Sequence, residues 1–141
     1  MYRPFLYFLD AALLAVLLAA CSFAGSPPED TPEPQTIKID PTEGVGEIDM
    51  RVGDTLELSF ESNLTTGYQW EVVEMNPDVL RQVGEAEYIA PTSNLLGAPG
   101  KEIFRFEAIS TGETLLKLVY HRPFEPEVPP EQSYEVNIIV K

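Results

Sequence analysis

From residue 36 to residue 141, apolar side chains recur at alternate positions. Leu56, Leu58 and Phe60 share one face of the segment 55–60. Tyr68, Trp70 and Val72 form a second such set, and Phe104, Phe106 and Ala108 a third. Leu116, Leu118 and Tyr120 form a fourth, and Tyr134, Val136, Ile138 and Val140 a fifth. Successive side chains of a strand point to opposite faces, so period-two alternation predicts half-buried β-strands. Ile37 with Ile39 and Ile48 with Met50 mark two weaker strands at the start, and residues 79–89 hold one or two more. Turn-forming clusters punctuate the pattern at Val52-Gly53-Asp54, Asn76-Pro77-Asp78 and Ser110-Thr111-Gly112-Glu113. No window carries the capped, helical periodicity that would argue for an α-helix.

Short strands at this spacing predict an all-β domain over residues 36–141, an immunoglobulin-like β-sandwich of about seven to eight antiparallel strands. About 105 residues suffice to bury such a core without disulfides, and Trp70 is expected near its centre. Antiparallel strands reverse direction at each connection, so alternate connections share an end. Counted from the strand at 55–61, the connections 62–67, 91–100 and 121–132 fall together, provided residues 79–89 cross the sandwich once or an odd number of times. The opposite end has only the short turns at 74–78 and 110–113.

The three loops at the shared end are unusual. The first reads Asn63-Leu64-Thr65-Thr66-Gly67, polar and closed by a glycine able to take a positive φ. The second contains Gly97-Ala98-Pro99-Gly100, where two glycines let a partner's backbone come close. The third opens His121-Arg122-Pro123-Phe124; proline stiffens it while an arginine and an aromatic, types favoured at interface hot spots, project. Each loop also has a plain reading. The first can be a simple hairpin turn (Asn63-Leu64-Thr65 is also a glycosylation sequon), the second slack, and His121 and Arg122 solvated surface groups.

The start of the chain has a different pattern. Met1-Tyr2-Arg3-Pro4 precedes an apolar stretch that runs unbroken from Ala11 to Ala20. A short positive start followed by an apolar core is the shape of a secretory signal. A spanning helix needs about 20 apolar residues, and Asp10 interrupts this one. The stretch closes on Leu18-Ala19-Ala20-Cys21, which resembles the lipobox of bacterial lipoproteins, whose cysteine is acylated and begins the mature chain. Residues 1–20 are therefore expected to be a lipoprotein signal peptide. Residues 21–35 are expected to be the lipidated Cys21 and a flexible, acidic, Pro-rich linker reaching roughly 40 Å at ~3 Å per residue. The expected location is the bacterial cell envelope, lipid-anchored to a membrane and facing the extracytoplasmic side.

Charge and composition then narrow the function. A formal net charge of −14 repels phosphate backbones and argues against a nucleic-acid partner. One Cys and one His exclude internal disulfides, cysteine-based zinc sites and any site with two imidazoles. The acidic residues are scattered, not spaced as a calcium loop, so no metal or cofactor is expected. Thr65, Thr66 and His121 could imitate a nucleophile–base pair, but no nucleophile elbow or other catalytic signature accompanies them, and the chain reads as a non-enzyme.

Taken together, the loops resemble the chagasin family of cysteine-peptidase inhibitors. The family's first motif, Asn-Pro-Thr-Thr-Gly-Tyr-x-Trp, matches Asn63-Leu64-Thr65-Thr66-Gly67-Tyr68-Gln69-Trp70 except at Leu64. Its second, a Gly-x-Gly-Gly loop before a Phe-x-Phe strand, matches Gly97-Ala98-Pro99-Gly100 before Phe104-Arg105-Phe106, with Pro99 replacing a glycine. Its third, Arg-Pro-Trp after a Leu-x-Leu-x-Tyr strand, matches Arg122-Pro123-Phe124 after Leu116-Lys117-Leu118-Val119-Tyr120. Pro99 removes an amide donor, and Phe124 keeps an aromatic face without an indole N–H. The resemblance implies a reversible inhibitor that blocks the cleft of papain-like cysteine proteases; a monomer is expected. Thr65 and Thr66 would meet the catalytic Cys–His pair, and the loops at Gly97 and Arg122 would clasp the cleft walls. The alternative is a non-inhibitory envelope lipoprotein that binds glycan or peptide through the same loops.

Overall fold

The structure, a computed structural model, describes residues 32–41, 46–93, 95 and 97–141. The expected signal peptide, Cys21 and most of the linker lie outside the described residues.

Every stretch of alternating apolar residues is a strand. Among the described residues the chain forms β1 (Thr36–Ile39), β2 (Glu47–Met50), β3 (Thr55–Ser62), β4 (Gln69–Glu74), β5 (Leu80–Gln82), β6 (Glu87–Ile89), β7 (Gly100–Ala108), β8 (Gly112–His121) and β9 (Gln132–Val140). They make two sheets. One has the order β1-β3-β7-β5, with β6 also on β7; the other has the order β2-β9-β8-β4. The inward faces meet in one core, in which Leu56, Leu58, Leu80, Phe106, Leu116, Leu118 and Ile138 have no exposed surface. Burying a side chain of this size contributes about 1.5–3 kcal/mol, so these alternating positions hold the sheets together.

Two features differ from the expectation. The sheets are mixed: β1 pairs parallel to β3, and β2 parallel to β9. The strand that separates β1 from β3 along the chain, β2, lies in the opposite sheet, so β1 and β3 run the same way when they meet. Period-two alternation carries no information on direction. There are also nine strands among the described residues, not seven to eight; residues 79–89 form both of the two strands the pattern allowed there, β5 and β6, around Gly84, which takes a φ of 72°. Both halves pair antiparallel with β7, so the region crosses the sandwich once. The connections 63–68, 90–99 and 122–131 consequently lie at one pole.

The other pole receives both ends of the domain. Buried Asp54 accepts the Gln35 N–H at 2.9 Å through Oδ1 and the Arg51 N–H at 2.8 Å through Oδ2. The Thr55 N–H donates to the Gln35 carbonyl at 2.8 Å, and the Lys141 N–H to the Met50 carbonyl at 2.9 Å.

Candidate functional site

The first loop is built around Asn63. β3 ends at Ser62, and residues Leu64–Thr66 form a single 3-10 turn capped by Asn63 and closed by Gly67. The Asn63 side-chain oxygen accepts the Thr65 N–H at 3.2 Å and the Thr65 hydroxyl at 2.5 Å. Its main-chain carbonyl accepts the Thr66 hydroxyl at 2.6 Å. Its N–H donates to the Tyr120 hydroxyl at 3.0 Å, which fixes the loop to the end of β8. Gly67 takes a φ of 80°, a conformation that costs other residues roughly 1 kcal/mol or more.

Two cross-loop bonds join the three loops. Asn63 Nδ2 donates to the Gly97 carbonyl at 3.0 Å, tying the first loop to the second. Arg122 Nε donates to the Thr66 carbonyl at 3.2 Å, tying the third to the first. The Arg122 guanidinium also lies 4.5 Å from the centre of the Tyr68 ring and pairs with Glu125 at 3.2 Å. Tyr68 stacks on Tyr120 at 5.2 Å, so the arginine rests on an aromatic pair rooted in β8. The Phe124 ring lies 3.0 Å from where a Cβ at Gly67 would stand, yet the side chain is 67% exposed.

Asn63, Thr65, Thr66, Gly67, Gly97, Arg122 and Phe124 therefore stand together at one pole, with Leu64, Ala98, Pro99 and Pro123 in the same three loops. Gly100 does not belong to that surface. It is buried at the start of β7, where an added Cβ would collide with the Ile89 carbonyl and lie 2.5 Å from the Tyr88 hydroxyl. Gly100 serves the approach of β6 to β7, whereas at Gly97, with a φ of 77°, an added Cβ would meet nothing within 4 Å. Cys21 is outside the described residues.

Sequence reasoning placed Asn63 in the site without its role as brace, and it read Tyr68 and Tyr120 only as core. It also passed over Leu95, which is 77% exposed beside Gly97 and joins Leu64 and Phe124 as an apolar projection. The Leu95-Leu96 pair in a loop among small and polar residues was the available signal.

Behind the loops, Trp70 stacks on Phe60 at 4.1 Å and donates its indole N–H to the Glu61 carbonyl at 3.1 Å. This places it at the loop end of the core, not its centre, because a buried indole needs an acceptor and the end of β3 supplies one. The Trp70 N–H donates to Glu102 Oε2 at 2.9 Å. Burial raises the Glu102 carboxyl above the ordinary carboxylate range, and the Trp70 N–H offsets this only in part.

The chemistry available here is contact, not turnover. His121 Nε2 is bonded to Glu71 Oε2 at 2.6 Å, while both threonine hydroxyls are bonded to Asn63, so the imagined nucleophile–base pair does not form. Among the described residues no three His, Cys, Asp or Glu side chains converge as metal ligands.

The sequence model of the chagasin family peptidase inhibitor I42 matches residues 49–138. Chagasin from Trypanosoma cruzi is 34% identical over 76 residues, spanning 52% of this chain and 69% of chagasin. The fold is similar to that of EhICP2, a cysteine protease inhibitor from Entamoeba histolytica, with a TM-score of 0.67, 20% identity, and coverage of 78% of this chain and 99% of that one. It is also similar to PbICP-C, solved in complex with falcipain-2, with a TM-score of 0.55, 18% identity, and coverage of 77% and 92%. The matched span contains all three braced loops, and the chain belongs to the chagasin family of peptidase inhibitors, a protein that inhibits and does not catalyse.

Proposed function

We propose that this protein is a reversible, monomeric inhibitor of papain-like cysteine proteases that plugs the active-site cleft with its three loops. The observation that carries this reading is the pair of bonds from Asn63 to Gly97 and from Arg122 to Thr66, which hold three separate loops as one preformed surface. A surface ordered before binding loses little entropy on association. The 3-10 turn bearing Thr65 and Thr66 enters the cleft at the Cys–His pair. Leu64, Leu95 and Phe124 supply apolar contacts around it, and Gly97 allows close main-chain approach. Protease–inhibitor interfaces bury about 1,600 Å² in total, and three loops can supply one partner's share.

The test is titration of the full chain against papain, with Thr65→Ala alongside. Inhibition that weakens in the variant is expected. No inhibition at micromolar concentration across several papain-like proteases refutes the reading. The Leu18-Ala19-Ala20-Cys21 sequence supports export and acylation at Cys21, which would hold the inhibitor at an envelope membrane on its extracytoplasmic side. Cys21→Ser is expected to abolish palmitate incorporation and move the protein out of the membrane fraction.

A further inference from the structure

The hydroxyl protons of Thr65 and Thr66 are already committed. The Thr65 hydroxyl donates to Asn63 Oδ1, and the amide orientation is set by Nδ2, which donates to the Gly97 carbonyl. The Thr66 hydroxyl donates to the main-chain carbonyl of Asn63. Neither acceptor has a proton to give back, and a hydroxyl has only one. Among the described residues neither hydroxyl oxygen receives a hydrogen bond. The tip of the first loop therefore offers a partner lone pairs and no hydroxyl donor.

We propose that these two threonines act as acceptor-only groups and select the form of the protease in which the catalytic histidine is protonated. The proposal rests on the inhibitory reading above. A His-paired cysteine of the papain type is a thiolate above about pH 4, so its imidazole carries a proton on both nitrogens. One N–H is held by the enzyme's own orienting group. The other faces the thiolate and can be shared with a threonine oxygen only while the ring is charged. A neutral ring has a single N–H, already engaged, and turns a lone pair toward the threonines.

The charged and titratable groups around the tip come from several elements. Arg122 and Glu125 lie on the third loop, the arginine spanning the Thr66 carbonyl and the Tyr68 ring. The Tyr120 hydroxyl takes the Asn63 N–H, the Glu102 carboxyl takes the Trp70 N–H, and His121 is paired with Glu71. His121 is the chain's one histidine, so a His121→Gln chain separates any charge change of the inhibitor from that of the protease.

The experiment measures Kd for the full chain between pH 5.5 and 8 against active papain and against papain whose catalytic cysteine is replaced by alanine. In the active enzyme the thiolate keeps the ring charged, and a change of less than about threefold is expected. In the alanine enzyme the imidazole titrates near its ordinary value of about 6.5, and binding is expected to weaken by roughly 30-fold across the range. The His121→Gln chain is expected to keep this contrast. Parallel pH profiles for the two enzymes, or a contrast that vanishes in His121→Gln, overturn the proposal while leaving inhibition intact. No binding to active papain overturns the inhibitory reading itself.

Discussion

Replacing Asn63 by Ala removes three side-chain hydrogen bonds at once and touches no core residue. Two of them, from the Thr65 N–H and hydroxyl, shape the 3-10 turn; the third, to the Gly97 carbonyl, bridges two loops. Asn63 is half-buried, so each bond belongs at the low end of the usual range, about 0.5 kcal/mol, or ~1.5 kcal/mol for the set. In the free protein the released loop regains conformational entropy of about 1 kcal/mol per residue, which offsets much of that loss. Little change in Tm is therefore expected, within about 3 °C. On binding, the loop must be ordered again without its brace, and the missing ~1.5 kcal/mol reappears as a roughly tenfold weaker Kd for papain. The assay is inhibition titration paired with thermal melting. An unchanged Kd refutes the brace. A fall in Tm of more than about 10 °C with Kd unaltered would assign Asn63 to fold stability instead.

Arg122→Lys keeps the charge but loses the Nε–H bond to Thr66 and the planar stacking on Tyr68, so it is expected to weaken inhibition by about five- to thirtyfold, as much as Arg122→Ala does; rescue by lysine would show that charge alone matters. Gly100→Ala drives a Cβ into the Ile89 carbonyl and is expected to cost about 1–3 kcal/mol, read as a lower Tm and faster amide exchange at residues 87–89; an unchanged Tm would show that β6 yields freely. Glu102→Gln tests a buried acid. The folded-state pKa of Glu102 is raised by burial, so the unfolded chain releases this proton first, and stability falls as pH rises from the ordinary carboxylate range through the folded value. The Tm advantage of Glu102→Gln over wild type is therefore expected to be larger at pH 7 than at pH 4, and an equal difference at both would refute it. Glu57, lowered chiefly by its hydrogen bond from Lys38, has the opposite sign and is common to both proteins, so it cancels in that difference.

The long strands were legible because one face of each is mostly apolar, although Ser62, Glu102 and Thr114 are buried on those same faces. Leu56, Leu58, Phe60, Phe104, Phe106, Leu116 and Leu118 all lie in the core where the alternation put them. The short edge strands were harder. β1 and β2 have four residues each, and their parallel partners are chosen by tertiary packing that no local pattern records. The loops divided in a similar way. Gly67 announced its positive φ, but Gly100 and Gly97 look alike in sequence and differ only because Tyr88 arrives from another strand to cover one of them. The same holds for Asn63, whose partners Gly97 and Tyr120 are 34 and 57 residues distant along the chain.

The hydrogen bonds of Gln35 and Lys141 place both ends of the domain at the pole away from the loops. On the proposed reading, that makes the inhibitor a module with a handle on one side and its protease-binding loops on the other. A reporter fused after Lys141 is therefore attached at the pole opposite the three loops, so the domain can be mounted from that side without rebuilding it.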